Sequence, residues 1–226
     1  MHTYCKLIAR EFERHADAER AVGAKKYMRN LCEFYGIASP QRREITKAFI
    51  KEHGFPQEKE LYDVAVELWA MEKRELQYFA MEMLYAKRKQ WKEDILPVFE
   101  HTITHRSWWD TVDYIASKLV GEYCKKYSEL THEVITPWIK SDNMWLNRTA
   151  IIFQIGYKAK TDTALLTKAI LAHKESKEFF HQKAIGWALR SYSYTNAEWV
   201  KTFMATHTLK PLSVREGLKA INRDGL

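Results

Sequence analysis

Trp109 and Asp113 stand four residues apart in the stretch Ser107-Trp-Trp-Asp-Thr-Val-Asp113. On a helix of 3.6 residues per turn that spacing stacks a large aromatic ring and a carboxylate on one face. Buried without a partner, such a carboxylate costs several kcal/mol or takes a raised pKa, so the economical reading is that it lines a cleft. The bland reading is a solvated acid beside a core tryptophan. Trp187 lies four residues after Lys183, again one turn along a single face, and is either core packing or a second ring approaching Asp113. Indole faces around a carboxylate suit a cationic guest, through cation–π attraction and charge pairing away from water.

Other chemistries find little support. His101 and His105 have the spacing of a two-histidine metal face, but Thr102 stands where His-Glu-x-x-His needs its glutamate, and no third ligand is evident. There is no Gly-rich phosphate loop and no Gly-x-Ser-x-Gly elbow. Cys5, Cys32 and Cys124 are widely spaced and odd in number, which reads as ordinary reduced thiols.

The elements that position these residues read as helices throughout. The 226 residues include only 8 Gly and 5 Pro among long stretches of good helix formers. A helix is predicted from Tyr4 to about His15, a helical region over residues 17 to 35, and another opening with Ser39 as its cap and Pro40 in its first turn. From Glu58 onward the chain reads as helix pairs. Caps are predicted at Ser107, Ser128, Asp142, Asp162, Asn196 and Ser213. Superposing the second helix of each pair places Gln77, Asp113, Arg148, Lys183 and Arg215 at equivalent positions, about 35 residues apart. Stacked helical repeats have such a period, because one pair cannot bury its apolar face alone. The five residues are expected to line one polar, mostly basic concave surface on which Asp113 is the single acid. The alternative is that they are solvent-facing positions of an ordinary bundle.

Net charge is +7, and the excess is C-terminal: residues 141 to 226 hold 13 Lys and Arg against 7 Asp and Glu. That balance favours a polyanionic partner, nucleic acid first and an anionic membrane second. Lys87-Arg88-Lys89 and Arg42-Arg43 read as solvated faces. No apolar run of about 18 residues is long enough to span a bilayer, and Met1 to Lys6 lacks the zones of a signal peptide, so the expected location is cytoplasmic.

Four strings carry a family resemblance: Ser107 to Asp113, Ser141-Asp-Asn-Met-Trp-Leu-Asn-Arg148, Ser176 to Trp187, and Lys25-Lys-Tyr-Met-Arg-Asn30. Together, over essentially the whole chain, they resemble the AlkD family of alkylpurine DNA glycosylases. The resemblance implies one HEAT-like repeat domain over residues 1–226, an all-α right-handed superhelical stack of antiparallel helix pairs (an α-solenoid) with a concave DNA-binding face. It further implies excision of cationic alkylated purines, such as 3-methyladenine and 7-methylguanine, from duplex DNA by a monomer that needs no metal, organic cofactor or obligate protein partner. By the same resemblance Asp113 is the catalytic carboxylate. Trp109 and Trp187 flank the lesion's sugar and backbone, Tyr27 adds an aromatic, and Arg148, Lys183 and Arg190 contact DNA. Gly156 departs from the expected pattern, which has a basic residue there.

Overall fold

The computed structural model describes residues 1–224, and these are all helical apart from turns and one isolated bridge between Glu33 and Lys73. The chain divides into two compact units, Met1–Thr102 and a second beginning at Ile103.

The first unit contains α1 (Thr3–Arg14), α2 (Ala18–Tyr27), α3 (Ser39–His53), α4 (Leu61–Ala70), α5 (Arg74–Ala86) and most of α6 (Leu96–Thr104). The apolar spacing of α1 buries Ile8 and Phe12; the Phe12 ring meets Phe79 of α5, which meets Phe49 of α3, and Tyr4 of α1 packs on Phe49 in the same aromatic core. Residues 17–35 are not one helical region. The helix stops at Tyr27 because Arg29 and Asn30 take left-handed backbone, φ 55° and 61°. The chain beyond is pinned by Glu75, whose buried carboxylate accepts from the amides of Tyr35, Gly36 and Ile37. Ala38, not Ser39, caps α3, and Pro40 occupies the first turn.

The second unit holds α7 (Trp109–Tyr114), a π-helical segment Ile115–Val120, α8 (Gly121–Lys126), α9 (Thr131–Ile139), α10 (Met144–Ile152), α11 (Thr163–His173) and α12 (Phe179–Ser193). It ends with α13 (Ala197–Thr206), α14 (Pro211–Gly217) and α15 (Lys219–Asp224). Within it α9 packs on α10, α11 on α12 and α13 on α12, and α10 lies against α12. Helix pairs thus stack side by side as in an α-solenoid, each burying an apolar stripe such as Ile135, Ile151 and Ile185 against the next. At roughly 25 cal/mol per Å² of apolar surface removed from water, that burial is the main stabilising term.

Asp162 and Asn196 cap α11 and α13 as expected. Ser107, Ser128, Asp142 and Ser213 do not cap. The Ser107 hydroxyl donates back to the Ile103 carbonyl at 2.5 Å, and extended Trp108 precedes α7. Ser128 opens a short 3-10 turn with no side-chain cap bond. Asn143 caps α10 in place of Asp142, accepting from the amides of Trp145 and Leu146. Ser213 lies inside α14, where its hydroxyl donates to the Gln182 carbonyl.

The repeat register also differs from the expected one. Gln77 is buried, and its Nε2 donates to the carbonyls of Trp69 and Met71 at the end of α4. Asn147 does the same for α9, through Trp138, Ile139 and Ser141, and Gln182 donates to the Ser176 carbonyl. These amides satisfy orphan carbonyls at or just beyond the end of the preceding helix. They fall 70 and 35 residues apart, so Gln77 matches Asn147, and the residue matching Asp113, Arg148 and Lys183 is Tyr78. Gln77 does not line a solvent-facing surface.

Candidate active site

The tandem tryptophans have divided roles. Trp108 packs against Trp145 and Phe180 at ring-centroid distances of 5.8 and 5.1 Å, and Trp145 meets Phe180 at 4.9 Å. This cluster ties together the beginnings of α7, α10 and α12. Trp109, next along an extended-to-helical junction, is half-buried and sits one turn before Asp113. Directly after this turn comes the π-helical segment, a wide-turn form common at functional sites. Its first turn is tied by the Ser117 hydroxyl, which donates to the Asp113 carbonyl at 2.7 Å. The segment turns Ile115, Ala116, Leu119 and Val120 inward to the core.

Asp113 has a partner that sequence spacing did not reveal. Arg148 Nε donates to Asp113 Oδ1 at 2.7 Å and Nη2 to Oδ2 at 2.9 Å, a two-bond fork that matches guanidinium to ionised carboxylate. The third arm, Nη1, donates to the Phe180 carbonyl at 2.7 Å, and the guanidinium lies over the Phe180 ring at 5.7 Å. Arg148 therefore spans from α7 to α12. Its side chain is 5% exposed against 19% for Asp113, so the anion is the member of the pair nearer solvent. Burial pushes the Asp113 carboxyl above its ordinary value of 3.8; the guanidinium pulls the other way, and Asp110 adds a smaller push. A carboxylate offers about four lone-pair sites, of which the fork engages two.

The other expected residues are placed as follows. Trp187 and Lys183 share a half-buried face of α12, and Arg190 follows on that face. Lys183 and Arg190 both pair with Glu216 of α14, at 3.1 and 2.9 Å. Arg215, expected to continue the row, is exposed, and its neighbour Glu216 is the residue turned toward α12. Tyr27 belongs to the first unit and is 70% exposed at the end of α2. The expectation that Arg148 touches phosphate meets a buried side chain with Nε, Nη1 and Nη2 all engaged inside the protein. Gly156, where a basic residue was expected, has φ 90° in the turn after α10, a conformation a basic side chain adopts only with strain. Lys158, two residues on, shares a cleft of about 410 Å³ with Gly156, Tyr192 and Thr195.

A buried acid, Glu216, and the ring cluster at Phe180 were missed from sequence. Glutamates in a basic helical tail read as surface residues, and only the close approach of α14 to Gly186 reveals the first. The same holds for Tyr78, whose ring lies 5.2 Å from the Arg42 guanidinium.

Comparison with known proteins follows the same direction. No curated protein matches the chain. A solved structure named "Predicted DNA alkylation repair enzyme from Enterococcus faecalis" is 32% identical, with a TM-score of 0.85 over 92% of this chain and 97% of that one. A family model described as DNA alkylation repair enzyme matches residues 8–221. With that match spanning nearly the full sequence, the chain belongs to the DNA alkylation repair enzyme family.

Proposed function

We propose that this protein is a DNA glycosylase that hydrolyses the N-glycosidic bond of cationic alkylated purines, 3-methyladenine and 7-methylguanine, in duplex DNA. The observation that carries this reading is the Asp113 carboxylate, buried to 19% exposure and held in one orientation by Arg148. A purine alkylated on a ring nitrogen already bears the charge that it loses on departure, so it leaves neutral and no general acid is required. As the bond lengthens, positive charge grows on the deoxyribose. A fixed anion stabilises that state more than the ground state, and costs no reorganisation at the moment of reaction. Asp113 then orients or deprotonates the attacking water.

Arg148 acts as a positioning residue in this scheme. It holds the carboxylate by both oxygens, leaving the lone pairs that the fork does not use, and it ties that placement to α12 through Phe180. Trp109 and Trp187 supply cation–π and C–H contacts to the sugar and restrict water. Lys183 and Arg190 contact backbone phosphate.

The fork also favours a second reading, a noncatalytic module in which Asp113 and Arg148 are a structural ion pair. Release of free 7-methylguanine and 3-methyladenine from methylated duplex, followed by chromatography, separates the two. The glycosylase reading predicts time-dependent release of both bases, whereas bound duplex with no base released contradicts it.

A further inference from the structure

Beyond the Asp113 pair, the second unit holds a convergence of four charged side chains. Glu216 is 5% exposed, and its carboxylate accepts from Lys219 Nζ at 2.7 Å, Arg190 Nη1 at 2.9 Å and Lys183 Nζ at 3.1 Å. Hydrogen bonding to Lys219 first, and then to Lys183, holds this carboxyl down at about 2, so it is ionised wherever the protein is folded near neutral pH. Bare backbone at residue 186 makes the approach possible. A Cβ on Gly186 would lie 2.4 Å from the Glu216 Cβ and 3.0 Å from the Ser213 carbonyl oxygen. α14 therefore presses onto α12 between Lys183 and Arg190.

Three cations on one anion leave two net positive charges. Lys183 and Lys219 each spend one of three N–H donors on Glu216, and Arg190 spends one of five. Among the described residues no second carboxylate pairs with any of the three. Their side chains remain 36%, 30% and 51% exposed, so the remaining donors reach solvent. Lys183 and Arg190 lie one turn either side of Trp187 on its own face of α12. Fixed cations with spare donors beside an indole suit a tetrahedral oxyanion on a chain of them.

We propose that Lys183, Arg190 and Lys219 form a single phosphodiester-binding site whose geometry is set by Glu216 as a positioning residue. The site rests on the proposed function only for the identity of its ligand, a DNA strand. Glu216 removes the rotamer freedom of three long side chains before DNA arrives, which lowers the ordering cost of binding.

The test is the affinity of the full chain for an undamaged duplex as a function of salt, alongside single-turnover excision from methylated duplex and thermal melting of each variant. Lys219→Gln is expected to flatten the slope of log K against log salt by about 0.9, the loss of one phosphate contact, with Lys219→Arg restoring it. Glu216→Gln removes a negative charge, which alone would tighten binding; the site as described predicts roughly three- to tenfold weaker binding, because the amide offers N–H where Arg190 needs an acceptor. An unchanged slope in Lys219→Gln, or folded Glu216→Gln binding as tightly as wild type or tighter, overturns the site. Should Glu216→Gln melt before the assay temperature, the Lys219→Gln slope decides alone. Wild-type binding and excision with indifferent variants refutes only this site, while wild type that neither binds nor excises refutes the proposed function beneath it.

Discussion

At the scale of single residues, the Asp113–Arg148 fork decides what each side chain can do. Removing Arg148 leaves a carboxylate nearly out of water without its partner. Arg148→Ala is expected to cost about 3 kcal/mol of stability, within the range for breaking a buried ion pair, and to slow excision. Its salt slope for duplex binding should stay close to wild type, since the guanidinium is buried and three of its five donors are engaged inside the protein. Denaturant melts and salt titrations read the two effects separately, and a slope flatter by about 0.9 would put Arg148 on a phosphate after all. Titration adds an independent check. Burial raises the Asp113 carboxyl, so the acid limb of single-turnover excision should lie above pH 3.8, with rate rising as the carboxylate ionises and then levelling. A limb below that value would separate Asp113 from the rate.

Among the elements, α12 carries the candidate residues Lys183, Trp187 and Arg190 and has its own pH signature. His181 near its start is pushed down to about 4 by burial first and by the neighbouring His173, while its Nδ1 meets the Ser176 hydroxyl at 2.8 Å. The unfolded chain therefore binds a proton that the folded chain refuses between about pH 6.5 and 4, and stability falls as pH drops through that window. Melting temperature should decline across it, and His181→Gln should flatten the decline; an equal decline in the variant would assign it elsewhere. Gly186→Ala should destabilise by about 1–3 kcal/mol, because its Cβ would meet α14 at 2.4 Å. The α-helical period, the helix pairs and the caps at Asp162 and Asn196 were legible in sequence, since they follow from local spacing and side-chain oxygen. The register was off by one at Gln77, because an amide that binds carbonyls of the preceding helix looks, in sequence, like any polar face. Ser107 misled for a related reason: a hydroxyl before a helix can turn back to a carbonyl as readily as forward to an amide.

For the whole molecule, the +7 charge and its C-terminal bias point to a polyanion on composition alone, and the family match at residues 8–221 agrees with DNA. Asp113 beside tryptophan was legible as a candidate; its partner was not, because a residue 35 positions away is brought to it by stacking of one helix pair on another. Duplex affinity should fall steeply with salt, by a slope set by several phosphates, and a salt-independent affinity would speak against a DNA enzyme. The most direct measurement compares wild type with Asp113→Asn on 7-methylguanine duplex, recording single-turnover excision and affinity on the same preparations. A fixed anion that stabilises the sugar cation predicts a loss of about a hundredfold or more in rate with affinity nearly unchanged. Wild-type excision by Asp113→Asn would contradict it.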